Sequence, residues 1–218
     1  MRLETQPLTS EYIIGRLRAA LGAPLPGLSA QMRMAPDPRP GSERILEPGL
    51  NCRHAAVLAL LYPGAEGLSL VLTRRTEAVE THRGQISFPG GSLDPGETVE
   101  TAALREAREE LGVEESEPEI LGRLSPLYIP HSGFCVFPVV AYIARRPRFS
   151  ANPREVAEII ETPLAHLLSP KTCCEETWEL RGAPVQVPFY AIGAHKVWGA
   201  TAMMLSELLT LFPTENPR

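Results

Sequence analysis

Three glutamates, Glu106, Glu109 and Glu110, lie three and four residues apart in a segment whose apolar residues recur at helical spacing. On a helix they share one face. Like charges so placed destabilise an isolated helix by about 0.2–0.5 kcal/mol per pair. A cluster of carboxylates favours a hard divalent cation with oxygen ligands, Mg²⁺ or Mn²⁺. The competing explanation is a solvated acidic face of a surface helix, and taken alone the three acids fit it better. The neighbours reverse that preference. Gly90-Gly91 permits a tight backbone turn before the helix, where carbonyls can approach a metal. Glu97 returns toward the helix from the preceding loop, and Arg105 adjoins the acids and can orient a carboxylate through a bidentate contact. Gly112 ends the helix sharply.

The elements that must hold these residues follow from the apolar pattern. Thr98–Leu111 reads as the helix, with Ala103, Leu104, Ala107 and Leu111 on a stripe beside the acids. Before it, Ala55–Tyr62 and Leu68–Thr73 read as paired strands turning at Pro63-Gly64, one of them apolar on both faces. Residues 74–97 read as irregular. After the helix come strands over Ile120–Leu127 and Val136–Ala144 and a loop at Phe149–Pro153. Glu155–Glu161 fits a strand or a short helix, and a short helix follows from Pro163 to Leu168. Val185–Ile192 is a late strand and Ala200–Phe212 a closing helix. Upstream, Ser10–Leu21 reads as a helix capped by Ser10 and stopped by Gly22. The proline- and glycine-rich residues 23–49 read as an extended arm. The pattern predicts a mixed α/β fold with antiparallel pairs and helices packed on the sheet. The expected organisation is a helix and arm over residues 1–50, one catalytic domain over 51–212, and a tail over 213–218.

Composition narrows the function classes. The chain has 218 residues, 44% hydrophobic and 22% charged, as an ordinary globular protein does. A net charge of −5 argues against nucleic acid as the partner. It leaves open a small anionic ligand, because a bound cation inverts the local field. No apolar run reaches the ~20 residues of a bilayer span, so no membrane partner is expected. Residues 1–10 lack the apolar core of a secretory signal, and the expected location is cytoplasmic. Cys52, Cys135, Cys173 and Cys174 form no CxxC pair and read as reduced thiols.

The segment from Gly91 to Val113 resembles the Nudix box, G-x5-E-x7-R-E-U-x-E-E-x-G-U, where U is bulky and apolar. Every fixed position matches; Ala107 is smaller than the usual first U residue. The resemblance implies an α/β/α sandwich around a mixed sheet, with the box as a loop–helix–loop. It implies Glu106 and Glu110 as direct metal ligands and Glu109 as a further ligand or general base. The Gly91 carbonyl would complete a site, and Glu97 would hold the loop or reach the metal through water. Arg105 would orient Glu106. Glu155, on the later loop, is a second candidate base, set against a plain salt bridge.

A second resemblance narrows the substrate. Leu72-Thr73-Arg74-Arg75 and His82-Arg83-Gly84-Gln85-Ile86-Ser87-Phe88-Pro89-Gly90-Gly91 are similar to the signature that precedes the box in coenzyme A pyrophosphatases. Ser132-Gly133-Phe134, Asn152-Pro153-Arg154-Glu155-Val156, Pro163-Leu164 and Val197–Ala202 are similar to the same subfamily. The implied reaction is hydrolysis of the diphosphate of coenzyme A to 4′-phosphopantetheine and 3′,5′-ADP. The 3′-phosphate would need cations, for which Arg74, Arg75 and Arg83 are placed, with His82 as a donor and Gln85 beside them. ADP-ribose, a nucleoside triphosphate or a dinucleoside polyphosphate is the alternative substrate. A nucleotide-sensing module without catalysis is the alternative class, disfavoured by the complete set of box acids. His131 and His195 read as ordinary polar contacts, and Trp198 as packing at the start of the last helix. The protein is expected to act as a monomer or homodimer on a small nucleotide.

Overall fold

The computed structural model describes residues 9–38, 52–76, 84–180 and 182–212. Its frame is a mixed sheet built on β1 (Arg53–Gly64), which pairs antiparallel with β2 (Gly67–Arg75); the turn is at Ala65-Glu66, whereas Pro63 and Gly64, expected to begin it, are paired within the strands. On its other side β1 runs parallel to β7 (Phe134–Tyr142). The alternation of a strand explains the layers. Ala56, Leu58, Leu60 and Tyr62 enter one apolar cluster, whereas Ala55, Ala59 and Leu61 enter the other. Both faces of β1 are therefore covered, as its unbroken apolar run predicts.

One layer is the helix α3 (Val99–Leu111), whose Ala102, Ala103, Ala107 and Leu111 pack on β1 and β7. The opposite layer contains α1 (Ser10–Leu21), α2 (Leu28–Gln31), α4 (Leu164–Leu168), α5 (Gly199–Thr210) and a small antiparallel sheet. That sheet comprises β9 (Cys173–Leu180), β10 (Ala183–Ile192) and β11 (His195–Trp198). This is the expected α/β/α arrangement. No helix among the described residues is long and apolar enough to cross a membrane.

Several expectations change. Residues 28–34 are helical instead of extended: α2 and a 3₁₀ turn (Met32–Met34) pack against α5. Gln31 and the Gly27 N–H reach the fully buried Glu207 of α5, which also accepts from the Ser125 N–H. The cap of α1 is Thr9, which accepts from the Tyr12 N–H, not Ser10. The strand expected over Ile120–Leu127 is two, β5 (Glu119–Arg123) and β6 (Leu127–Ile129), both on β7. The register slips at Gly122, where a Cβ would stand 2.9 Å from Leu21 Cβ, so α1 packs where the strand lacks a side chain. Glu155–Glu161 resolves as strand β8 (Val156–Pro163), on the outer edge of β2.

The cysteine expectation is also corrected. Cys52 and Cys135 form a disulfide with Cα atoms 5.7 Å apart. The parallel pairing sets His54 beside Cys135 and so brings the two thiols together across 83 residues of sequence. Only Cys173 and Cys174 are free, and the thiol argument for a reducing compartment falls away.

Candidate functional site

The acids lie where α3 meets a short strand, β4 (Gly90–Ser92), which pairs with β1 through Ala56 and Gly91. Residues 74–97, expected to be irregular, therefore include strand pairing. A second short strand, β3 (Ile86–Ser87), pairs with the end of β2. The start of α3 is fixed by Thr98 and Thr101, each of whose hydroxyls accepts from the other's backbone N–H. Its end is fixed by Gly112, at φ 69°, whose N–H donates to the Arg108 carbonyl.

Arg105 organises the entry side. Its Nε and Nη2 donate to the two Glu97 oxygens at 2.9 and 3.1 Å, and Nη2 also donates to the Ser92 carbonyl. Its Nη1 donates to Glu106 Oε1 at 2.9 Å. The Asp94 N–H completes the loop by donating to Glu97 Oε2. Arg105 holds the Glu97 carboxyl below the usual range, and Glu97, with Glu106 behind it, pushes the guanidinium pKa further up. The arginine thus orients Glu106 while locking the loop that carries Gly91.

Glu106 and Glu110 point inward, and Glu109 is half-exposed between Arg105 and Arg108. Burial raises the Glu106 pKa, against the pull of Arg105 and with the help of the Glu109 and Glu155 charges. Burial pushes Glu110 up to about 8. The Arg75 charge and a Gly90 N–H bond oppose that shift, and the Glu106 and Glu155 charges reinforce it. Arg75 Nη1 stands 3.6 Å from Glu110 Oε1.

Glu155 is set by the loop after β7. The Ser150 and Asn152 N–H groups donate to the Leu111 and Glu110 carbonyls, docking the loop on the C-terminal end of α3. Asn152 Nδ2 then donates to Glu155 Oε1 at 3.3 Å.

Among the described residues no three acidic, histidine or cysteine side chains already converge as a closed metal cage. The residues nonetheless fit a hard divalent cation. Glu110 is 2% exposed, yet its Oε2 has no hydrogen-bond partner, a costly arrangement for a buried carboxylate oxygen. Gly91 lies so close to the Glu106 carboxylate that a Cβ there would stand 2.6 Å from Cδ. The donors are all oxygens, as Mg²⁺ and Mn²⁺ prefer.

The remaining candidate residues divide by face. Adjacent residues of a strand point oppositely, and β2 extends through both arginines. Arg75 therefore faces α3, whereas Arg74 faces the small sheet, donating to Glu158, which also bonds His195. The Gln85 carbonyl accepts the Arg75 N–H. His82 and Arg83 lie outside the described residues. Trp198 caps α5 and meets Trp178 edge to face over the small sheet, as a packing residue does. The links through Asn152, Ser92 and Glu158 were not apparent from the sequence, where a motif position was the only sign of Asn152.

Comparison with known proteins points to one family. The NUDIX domain model matches residues 53–172. The chain is 35% identical over 179 residues to the "Uncharacterized Nudix hydrolase NudL" of Photorhabdus laumondii, covering 82% of this chain and 91% of that protein. It is 36% identical over 201 residues to the human "Mitochondrial coenzyme A diphosphatase NUDT8", covering 89% and 78%. Among solved structures, the M. smegmatis Nudix hydrolase RenU is 27% identical, with a TM-score of 0.45 over 52% of this chain and 72% of that one. Because the domain match takes in the whole box and the relatives align over most of their own length, the chain belongs to the Nudix hydrolases and is a pyrophosphatase of that family.

Proposed function

We propose that this enzyme hydrolyses the diphosphate of coenzyme A, or of a derivative, to 4′-phosphopantetheine and 3′,5′-ADP, with Mg²⁺ or Mn²⁺ as its metal. Nudix hydrolases generally need a divalent metal ion. When bound, the metal supplies positive charge against the diphosphate oxygens and lowers the pKa of water. Glu106, Glu110 and Glu109, with the Gly91 carbonyl, are the groups that would hold it, and Glu97 keeps their loop in place. Arg105 fixes Glu106, so the acid needs no reorganisation when the ligand arrives. In the reaction water adds to one phosphorus, the bridging P–O bond breaks, and Glu109 or Glu155 accepts the water's proton.

The observation that carries the substrate is the contact between Arg75 and Glu110. It ties the coenzyme A-like stretch ending in Arg75 to the buried box acid, so that stretch borders the reacting phosphates. The relative named a coenzyme A diphosphatase supports the same substrate. Arg75 and Gln85 are the described residues assigned to substrate, His82 and Arg83 are assigned to it from the sequence motif alone, and Arg74 is committed to Glu158. The test is kcat/KM for coenzyme A, 3′-dephospho-coenzyme A and ADP-ribose under one metal condition. Coenzyme A should lead its dephospho form by about ten- to a hundred-fold, the worth of one charge-assisted contact. A tenfold preference for ADP-ribose overturns the substrate and leaves the family.

A further inference from the structure

The loop carrying Glu155 is tied to the box helix by the Ser150 and Asn152 N–H groups, and of these two residues Asn152 also reaches Glu155. The Asn152 backbone N–H donates to the carbonyl of Glu110 at 2.9 Å. Its Oδ1 accepts from the Arg154 N–H at 3.2 Å, its carbonyl accepts from the Glu155 and Val156 N–H groups, and its Nδ2 donates to Glu155 Oε1. The asparagine therefore shapes the turn with its oxygen and holds the acid with its nitrogen. Behind it, the Thr76 N–H and hydroxyl donate to the carbonyls of Glu155 and Arg154, fixing the loop to the end of β2. The held carboxylate acts electrostatically on both Glu106 and Glu110.

We propose that Asn152 is a positioning residue, which sets the placement of the Glu155 carboxylate relative to the box acids by gripping Glu110 through its main chain and Glu155 through its amide. This rests on the reading that Glu155 takes part in the reaction. The chemistry of the side chain is specific. Aspartate keeps the oxygen that shapes the turn but replaces the donor by a second carboxylate, which repels Glu155. The loop would keep its path while the acid loses its aim.

The experiment compares wild type, Glu155→Gln, Asn152→Asp and the double variant. Turnover is measured on coenzyme A, or on ADP-ribose if coenzyme A is not cut, with saturating Mn²⁺. Mn²⁺ binding by calorimetry and thermal melting are measured on the same proteins. Each single variant should lower kcat by about 10²-fold, the effect of a slight misplacement, with KM, Mn²⁺ affinity and melting temperature near wild type. The double variant should fall no more than about twofold below Glu155→Gln, because the two residues act as one unit. Wild-type turnover in Glu155→Gln sinks the reading of Glu155, and the positioning role with it. A slow Glu155→Gln beside an unimpaired Asn152→Asp overturns the positioning role alone. So do losses that multiply in the double variant, or a lowered melting temperature with full activity in the folded protein. If Asn152→Asp does not fold, Asn152→Ser, which retains a turn-forming oxygen, is put through the same comparison.

Discussion

Gly91 and the carboxylate of Glu106 are in direct contact, with 2.6 Å between Glu106 Cδ and the point where a Cβ on Gly91 would lie. A methyl group there must displace the carboxylate or the strand. Gly91→Ala should lower kcat by about 10²-fold, since small misplacements of a ligand are that costly. Turnover and thermal melts of the purified variant check this. Full activity would mean that Glu106 does not need its present position.

The two arginines of β2 should behave differently, because they face opposite sides of the sheet. Arg75→Ala should lower kcat/KM for coenzyme A by about ten- to a hundred-fold. Arg74→Ala should leave kcat/KM unchanged and lower the melting temperature by about 1–4 °C, as fits a partly exposed pair with Glu158. Steady-state kinetics and melts of both variants decide the matter. Equal kinetic losses would mean that Arg74 also reaches substrate.

Glu161 sits where pH acts on stability away from the site. Its carboxyl accepts from Arg146 and from the buried Tyr62 hydroxyl. The Arg146 hydrogen bonds hold its pKa below the ordinary 4.5. A depressed folded-state pKa gives stability that is present above the unfolded value and lost as pH falls through the folded one. Wild type should therefore lose melting temperature below pH 4.5 more steeply than Glu161→Gln does. Tyr62→Phe, which keeps the ring and loses the hydroxyl, should cost about 1 kcal/mol, or 2–4 °C. Parallel acid limbs in wild type and Glu161→Gln would exclude this linkage.

Glu207 holds the N-terminal segment on the closing helix. It is fully buried and accepts from Gly27, Gln31 and Ser125. Glu207→Leu leaves the Gly27 and Ser125 N–H groups without this acceptor, at about 1–3 kcal/mol each, while Gln31 keeps the Ser125 carbonyl. The melting temperature should fall by about 10 °C, while activity in the cold stays near wild type, because α3 makes none of these contacts. Circular dichroism melts and cold assays test both halves.

The helix Val99–Leu111 is legible in the sequence because several local signals coincide there. The apolar stripe, the acid spacing and Gly112 all fall within one short segment. The opposite facing of Arg74 and Arg75 was hidden because β2 was expected to end at Thr73, and only its extension imposes alternation on the arginines. β9 was hidden because Cys173–Leu180 is mostly polar and exposed and has no apolar run. β11 is a four-residue strand, too short for a periodic signal. The disulfide was hidden because its partners meet only through the parallel pairing of β1 with β7. The tie from Asn152 to Glu110 is likewise a contact between distant segments, and no local pattern encodes it.

The bond between Cys52 and Cys135 closes the chain into a ring, and that ring contains Gly91, Glu97, Arg105, Glu106, Glu109 and Glu110. Glu155 and Asn152 lie outside it. An oxidised chain that unfolds keeps the first group tethered in a restricted volume and releases the second. The candidate site is thus assembled from one covalently confined half and one free half. Their meeting depends on a noncovalent seam: the pairing of β8 with β2 and the bonds from Ser150 and Asn152 to the end of α3. Thiol reduction would slacken the first half without cutting that seam, whereas changes along the seam would separate the acids with the ring intact.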